Sequence, residues 1–140
     1  MVVGVDLGIK TLAVLSSGEQ IPNPRHSNAG QRKIRRLSRA VSRRVGPYDA
    51  ATKKGRPPSN RWRHATAALA KAQGRVADQR KDAIHKLTTT WARKYGTIVV
   101  EDLLVAGMLR NHHLARHVAD ASFGQIRRQL EYKTAWNGGR

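Results

Sequence analysis

Two acidic residues, Asp6 and Glu101, each stand at the end of a short apolar run in a strongly basic chain. Burying a carboxylate in such a run is costly unless a lysine, a helix end or a metal ion compensates its charge. Carboxylate oxygens are good ligands for Mg²⁺ and Mn²⁺, and two such ions can clamp the attacking and leaving oxygens of a phosphodiester. Both acids are therefore candidate catalytic and metal-binding residues, although each could instead serve only as a turn or capping residue.

Short strands have to position these two acids. Apolar runs bounded by turn-like residues predict four strands, at about residues 2–6, 11–15, 19–21 and 97–101. The fourth follows a helical crossover, and a strand that returns in this way usually lies parallel to its predecessor in the same sheet. If it pairs with the first strand, Asp6 and Glu101 lie side by side at the carboxyl edge, where open α/β sheets bind their ligands.

Two helices are predicted between the third and fourth strands. Apolar residues recur at spacings of three and four from Ile34 to Val41, which predicts an amphipathic helix. A longer series of apolar residues at the same spacings, from Trp62 to Trp91, predicts a second helix. Together they predict an antiparallel helical hairpin over about residues 30–95.

A further helix is predicted near the carboxyl end of the sequence. An apolar stripe places it at about residues 122–135, and Ser122 and Gln125 match a capping box at its start. The segment before it is rich in His and Arg and is predicted to be a loop. His113 and His117 lie there at a spacing of four, but without a cysteine or Glu beside them we do not interpret them as metal ligands.

Positive charge dominates the composition, since 27 Lys and Arg against 9 Asp and Glu give a net charge of +18. This balance indicates a polyanionic partner, and nucleic acid is the first candidate. Seven basic residues of the first predicted helix have no acid among them, so contact with phosphates explains them better than a solvated face of mixed sign. These residues are Arg32, Lys33, Arg35, Arg36, Arg39, Arg43 and Arg44.

The composition also excludes several classes of protein. The sequence has no cysteine, which excludes a disulfide framework and a cysteine-ligated zinc site, so no zinc is expected here. It has no apolar run near the roughly 20 residues that a membrane span requires, and no basic leader precedes the first strand. We expect a cytoplasmic, nucleoid-associated protein outside the membrane, and the sequence leaves its oligomeric state open.

Several segments, in this order, resemble the TnpB family of transposon-encoded RNA-guided DNA endonucleases, also called OrfB-type transposase-associated proteins. They are GVDLGIKTLAVLSSGEQI, NPR, HKL, VEDL and YK, and the similarity covers nearly the whole chain. The resemblance implies a RuvC-like nuclease domain with an RNase H-like fold, an α/β mixed sheet carrying the inserted basic hairpin. It also implies three acidic ligands for Mg²⁺ or Mn²⁺, of which Asp6 matches the first and Glu101 the second. Lys10 resembles the basic residue that follows the first acid, with a role in contacting the scissile phosphate.

The sequence also departs from the family pattern. The third acid of the family lies beyond a four-cysteine zinc ribbon downstream of the YK segment, and the family carries N-terminal domains that hold the guide RNA and the target DNA. Neither part is found here, so we expect an incomplete domain, truncated at both ends. Metal-dependent phosphodiester hydrolysis is expected of the complete protein with its DNA and RNA partners, whereas this fragment alone should be inactive or nearly so.

Two other classes of function remain open at this stage. A non-catalytic remnant of a transposase would bind nucleic acid through the basic hairpin without depending on Mg²⁺ or Asp6. An actin-like ATPase or sugar kinase shares this sheet and also opens with a strand followed by Asp-x-Gly. The short sequence and its high positive charge argue against this ATPase or kinase hypothesis.

Overall fold

The structure, a computed structural model, describes residues 1–44, 51 and 58–139. Within them the chain forms four strands and five helices, an α/β arrangement that confirms the predicted fold class at this level. In chain order the elements are β1 (Val2–Leu7), β2 (Thr11–Leu15), β3 (Gln20–Pro22), α1 (His26–Arg44), α2 (Asn60–Lys94), β4 (Thr97–Val100), α3 (Val105–Arg110), α4 (Ala115–Ala121) and α5 (Phe123–Trp136).

The four strands form one mixed sheet in the order β3-β2-β1-β4. Strand β2 is antiparallel to both β1 and β3, as short turns between successive strands require. Strand β4 returns after the two long helices and pairs in parallel with β1, with Val5 opposite Val100. The parallel pairing expected from a helical crossover is therefore present.

One face of the sheet is packed and the opposite face is open. Alternate residues of β1, among them Val3 and Val5, point into a core that includes Trp91, Phe123 and Ile126. The residues between them point the other way, and this open face also carries Val14 and Val99, whose side chains are 36% and 59% exposed. Helices α2, α4 and α5 supply the opposing side of the core.

The described chain divides into two compact units. The first comprises Met1–Arg25 and Arg80–Arg140 and contains the sheet, and the second is His26–Gln79. Helix α2 runs without interruption from Asn60 to Lys94, so its first part belongs to the second unit.

Within the second unit, α1 and the first part of α2 lie antiparallel. Near the start of α1, a Cβ added to Gly30 would come within 2.5 Å of Val76 Cγ2, so this glycine permits a close approach of the helices. Near its end, Arg44 Nη1 donates a hydrogen bond to the Arg61 carbonyl (3.4 Å). Of the segment that connects the predicted hairpin, residues 45–50 and 52–57 lie outside the described residues.

Two expectations for the region before α5 are wrong. The segment predicted as a loop contains α3 and α4, short helices of six and seven residues. The capping box is also absent, because Ser122 adopts the left-handed conformation (φ 54°, ψ 44°) and forms no side-chain cap for α5. Its hydroxyl instead donates a hydrogen bond back to the Ala119 carbonyl (2.9 Å), so Ser122 ends α4 rather than starting α5 by capping.

No helix in the described ranges combines the length and apolar character needed to cross a membrane.

Candidate metal and nucleic-acid site

The register of β1 and β4 places the two acids at the same edge of the sheet. Val5 is opposite Val100, and the next residues along the parallel strands are Asp6 and Glu101. Both acids line one shallow groove on the open face, together with Gly4 and Val14. The structure therefore brings together the two acids that the sequence singled out.

The expectation that Asp6 lies buried and requires compensation is wrong, because its side chain is exposed. The cause is strand alternation: Val5 and Leu7, on either side, point into the core and turn Asp6 toward the open face. A carboxylate in this position keeps its hydration and is available to an incoming ligand.

The loop between β1 and β2 depends on Gly8. Its backbone N–H donates to the Leu12 carbonyl (3.1 Å). A Cβ at this position would lie 2.9 Å from the Thr11 carbonyl oxygen, so any side chain would force the backbone apart. This turn carries Lys10, an exposed residue that lines a cavity together with Asp6.

The residue after Glu101 has a different environment. Asp102 forms an ion pair with Arg127 of α5, whose Nε also contacts Glu131 Oε1 (3.2 Å). The hydrogen bond that Arg127 donates to the Asp102 carboxylate is the main cause that raises the pKa of Arg127. Asp102 is thus held by α5, whereas Glu101 lines the groove with Asp6.

These two carboxylates can supply part of the coordination shell of a hard cation. Mg²⁺ commonly binds through one or two protein carboxylates and keeps several of its waters. Across the part of the chain that the structure describes, no three His, Cys, Asp or Glu residues are grouped so as to hold a metal. Asp6 and Glu101 could therefore hold such an ion only together with water or further ligands.

Five of the seven basic residues predicted on the first helix line a single open groove on α1. They are Arg32, Arg35, Arg36, Arg39 and Arg43, and Asn28 and Gln31 line it as well. Lys33 and Arg44 are exposed but do not line this groove. The spacings between these five arginines, of one to four residues, put the guanidinium groups along one side of α1, which is suited to a row of phosphates.

A buried lysine that was not predicted from the sequence joins α5 to α2. Lys133 of α5 is only 5% exposed. Its Nζ contacts Thr88 Oγ1 (2.7 Å), Thr89 Oγ1 (2.9 Å), the carbonyl and Nδ1 of His85 (2.9 and 3.0 Å) and Gln129 Oε1 (3.0 Å). No carboxylate is among these partners, and burial lowers the pKa of Lys133. The HKL and YK segments of the sequence could have indicated this contact, because they contain His85 and Lys133.

Comparison with known proteins identifies the family. Residues 1–112 match the family OrfB_IS605, described as "Probable transposase". The match covers most of the chain, which therefore belongs to this transposase family.

Curated relatives give the family a more specific character. The chain is 39% identical over 136 residues to a Streptomyces pristinaespiralis protein named "Putative RNA-guided DNA endonuclease", and 41% identical over 147 residues to a protein of the same description in Mycobacterium tuberculosis (strain CDC 1551 / Oshkosh). It is 30% identical over 152 residues to InsQ of Escherichia coli (strain K12), which bears the same description. These matches confirm the resemblance to TnpB-type proteins. They include 97%, 97% and 98% of this chain, which spans only 31%, 30% and 35% of the relatives' lengths.

Proposed function

We propose that this chain contributes a RuvC-like nuclease domain, with an RNase H-like fold, to a TnpB-type RNA-guided DNA endonuclease. The observation that carries the proposal is the parallel register of β1 and β4, which puts Asp6 and Glu101 at neighbouring strand ends in one groove. The names of the relatives support DNA as substrate and RNA as guide. Action on DNA would place the protein with the nucleoid in the cytoplasm.

In this function each group has a distinct role. Asp6 and Glu101 would hold Mg²⁺ or Mn²⁺ through their carboxylate oxygens. When bound, such an ion supplies charge stabilisation for phosphodiester hydrolysis. Lys10, in the turn beside Asp6, would contact the phosphate of the cleaved strand, and the arginines of α1 would contact backbone phosphates without reading bases.

The proposal is tested by the affinity of the chain for Mn²⁺, measured by electron paramagnetic resonance of the free ion. Asp6→Asn should weaken binding about tenfold or more, because it removes one of the two charged ligands. Asp82→Asn is the matched control, since Asp82 is an exposed carboxylate paired with Lys86 at 2.7 Å on α2. Equal affinities for the two variants would contradict the metal site.

Catalysis by the chain alone is expected to be absent or very slow, because two carboxylates are fewer than the family's three. The measurement is cleavage of labelled single- and double-stranded DNA with Mg²⁺ or Mn²⁺. Rapid metal-dependent cleavage that is lost in Asp6→Ala would show that the two acids suffice.

A second candidate is a non-catalytic nucleic-acid-binding protein. It is supported by the arginine-lined groove on α1 together with a pair, rather than a triad, of acids in the described residues. It predicts that DNA binding is indifferent to both Mn²⁺ and Asp6. The actin-like kinase alternative instead predicts that ATP raises the melting temperature.

A further inference from the structure

A cavity of about 400 Å³ lies directly beside Asp6, within the unit that contains the sheet. It falls in the usual size range of small-ligand pockets. Ile9, Val14, Met108 and Phe123 make its lining mainly apolar, and Thr11 is the one uncharged polar residue among the described residues that line it. The two charged residues that line it, Asp6 and Lys10, are exposed.

The apolar walls and the two charged residues together indicate which kind of ligand this cavity suits. Apolar walls cannot pair with the hydrogen-bonding edges of a base, but they can cover its faces, and thioether and aliphatic groups pack well against aromatic rings. Contacts of this kind tolerate any base, since every base has a π face. The ammonium group of Lys10 adds one positive charge, which suits the phosphate attached to such a nucleoside.

We propose that this cavity is a nucleoside subsite, which takes the base and sugar next to the phosphate presented to Asp6 and Glu101. The proposal rests on the proposed nuclease function and extends it from the phosphate to the neighbouring nucleoside. The shared position of Asp6 supports it, because this one residue lines both the groove that contains Glu101 and the apolar cavity. A strand passing the acid pair would therefore meet the cavity within one nucleotide.

The methionines of the chain permit a direct test. There are two in the sequence, and they are Met108, in the wall of the cavity, and Met1, which is 85% exposed and does not line it. Labelling both methyl groups with ¹³C gives one reporter and one internal control in the same spectrum. Thymidine 5′-monophosphate is the probe, and 2-deoxyribose 5-phosphate is the matched ligand without a base.

We expect thymidine 5′-monophosphate to shift the Met108 methyl signal saturably, through the ring current of the base, and to leave Met1 unchanged. The ligand without a base should shift Met108 far less. Lys10→Ala should weaken binding about three- to tenfold, as expected for one lost charged contact. Lys81→Ala removes the same charge from an exposed position on α2 outside the cavity and should leave the affinity unchanged.

The titration is run in EDTA, so that its outcome is independent of metal binding. No shift at Met108, or equal shifts with both ligands, would overturn the subsite. If that result came with Mn²⁺ binding that depends on Asp6, the nuclease proposal would stand without the subsite. A base-dependent shift in a chain that binds no Mn²⁺ would support the nucleoside pocket and contradict the metal site.

Discussion

At the scale of single residues, two adjacent acids differ in what surrounds them. Asp102 is paired with Arg127, whereas Glu101 faces the groove that it shares with Asp6. In the sequence Glu101 and Asp102 are simply adjacent acids, so the sequence does not show this difference in their surroundings. Its strand-end position and the resemblance to the TnpB family both singled out Glu101, and Glu101 is the one of these two acids that lines the groove with Asp6.

This difference predicts opposite effects of two similar substitutions. Glu101→Gln should weaken Mn²⁺ binding about tenfold or more, because a charged oxygen ligand is lost. Asp102→Asn should change it by no more than about twofold, because the lost charge was exposed and already paired with Arg127. Competition with a fluorescent Mn²⁺ indicator measures both constants, and a larger loss for Asp102→Asn would reverse the assignment.

Lys133 predicts a pH dependence of stability. Burial lowers its pKa in the folded protein from the ordinary value of 10.5. Between the lowered folded pKa and 10.5, the unfolded chain therefore binds more protons, so the contribution of Lys133 to stability should rise with pH in that window. Below the folded pKa both states are protonated, and the contribution should be constant.

The measurement is urea unfolding of the protein and of Lys133→Met at a series of pH values. At pH 7 the substitution should destabilise by about 2–4 kcal/mol, because it removes the hydrogen bonds that the Lys133 ammonium group donates to the oxygens of Thr88, Thr89 and Gln129. The difference in free energy of unfolding between the two proteins should then grow as the pH approaches 10.5. A difference that shrinks over this range would contradict the assigned direction of the pKa shift.

At the scale of secondary-structure elements, the sequence predicted the four strands and the long helices but not the two short helices. The crossover from β1 to β4 was predictable because a strand that follows helices has few ways to rejoin the sheet. Helices α3 and α4 were missed because six or seven residues contain fewer than two full turns of apolar periodicity. Ser122 misled the prediction because a Ser-x-x-Gln pattern does not reveal a left-handed backbone at the serine.

The turn that precedes β2 gives a prediction for Gly8. Gly8→Ala should destabilise the protein by about 1–3 kcal/mol, because the Thr11 carbonyl is part of the backbone and cannot rotate away from the new methyl group. Gly74→Ala is the control, since Gly74 lies in α2 and an added Cβ there meets nothing within 4 Å. It should stabilise by up to about 1 kcal/mol through helix propensity.

Thermal unfolding measures both substitutions. A drop in melting temperature is expected for Gly8→Ala and a small rise for Gly74→Ala. A Gly8→Ala protein as stable as the unmodified chain would show that the turn can relax around a side chain.

At the scale of the whole molecule, charge is the property that the sequence revealed most directly. The net charge of +18 follows from the amino-acid composition alone. The arrangement of five arginines in one groove follows from the helical period, which brings residues three and four apart to one side. What the sequence could not provide was which of the seven basic residues share that groove.

A charge-matched pair of variants tests this groove. Arg35→Gln with Arg39→Gln should weaken binding of a 20-base-pair DNA duplex about tenfold and reduce the slope of log affinity against log salt by about 2. Arg61→Gln with Arg63→Gln removes the same charge from exposed positions on α2 that do not line the groove. Fluorescence anisotropy between 50 and 200 mM salt makes the comparison, and equal losses for both pairs would mean that net charge alone drives binding.

We propose above that Asp6 and Glu101 jointly hold a divalent cation at the ends of β1 and β4. Paramagnetic broadening of backbone amide signals by Mn²⁺ tests it most directly, because the broadening falls steeply with distance from the ion. We expect substoichiometric Mn²⁺ to broaden the signals of residues 5–8 and 100–103 first, and Asp6→Asn with Glu101→Gln to abolish this pattern. Broadening centred on the histidine-rich residues 112–117, or unchanged in the double variant, would contradict it.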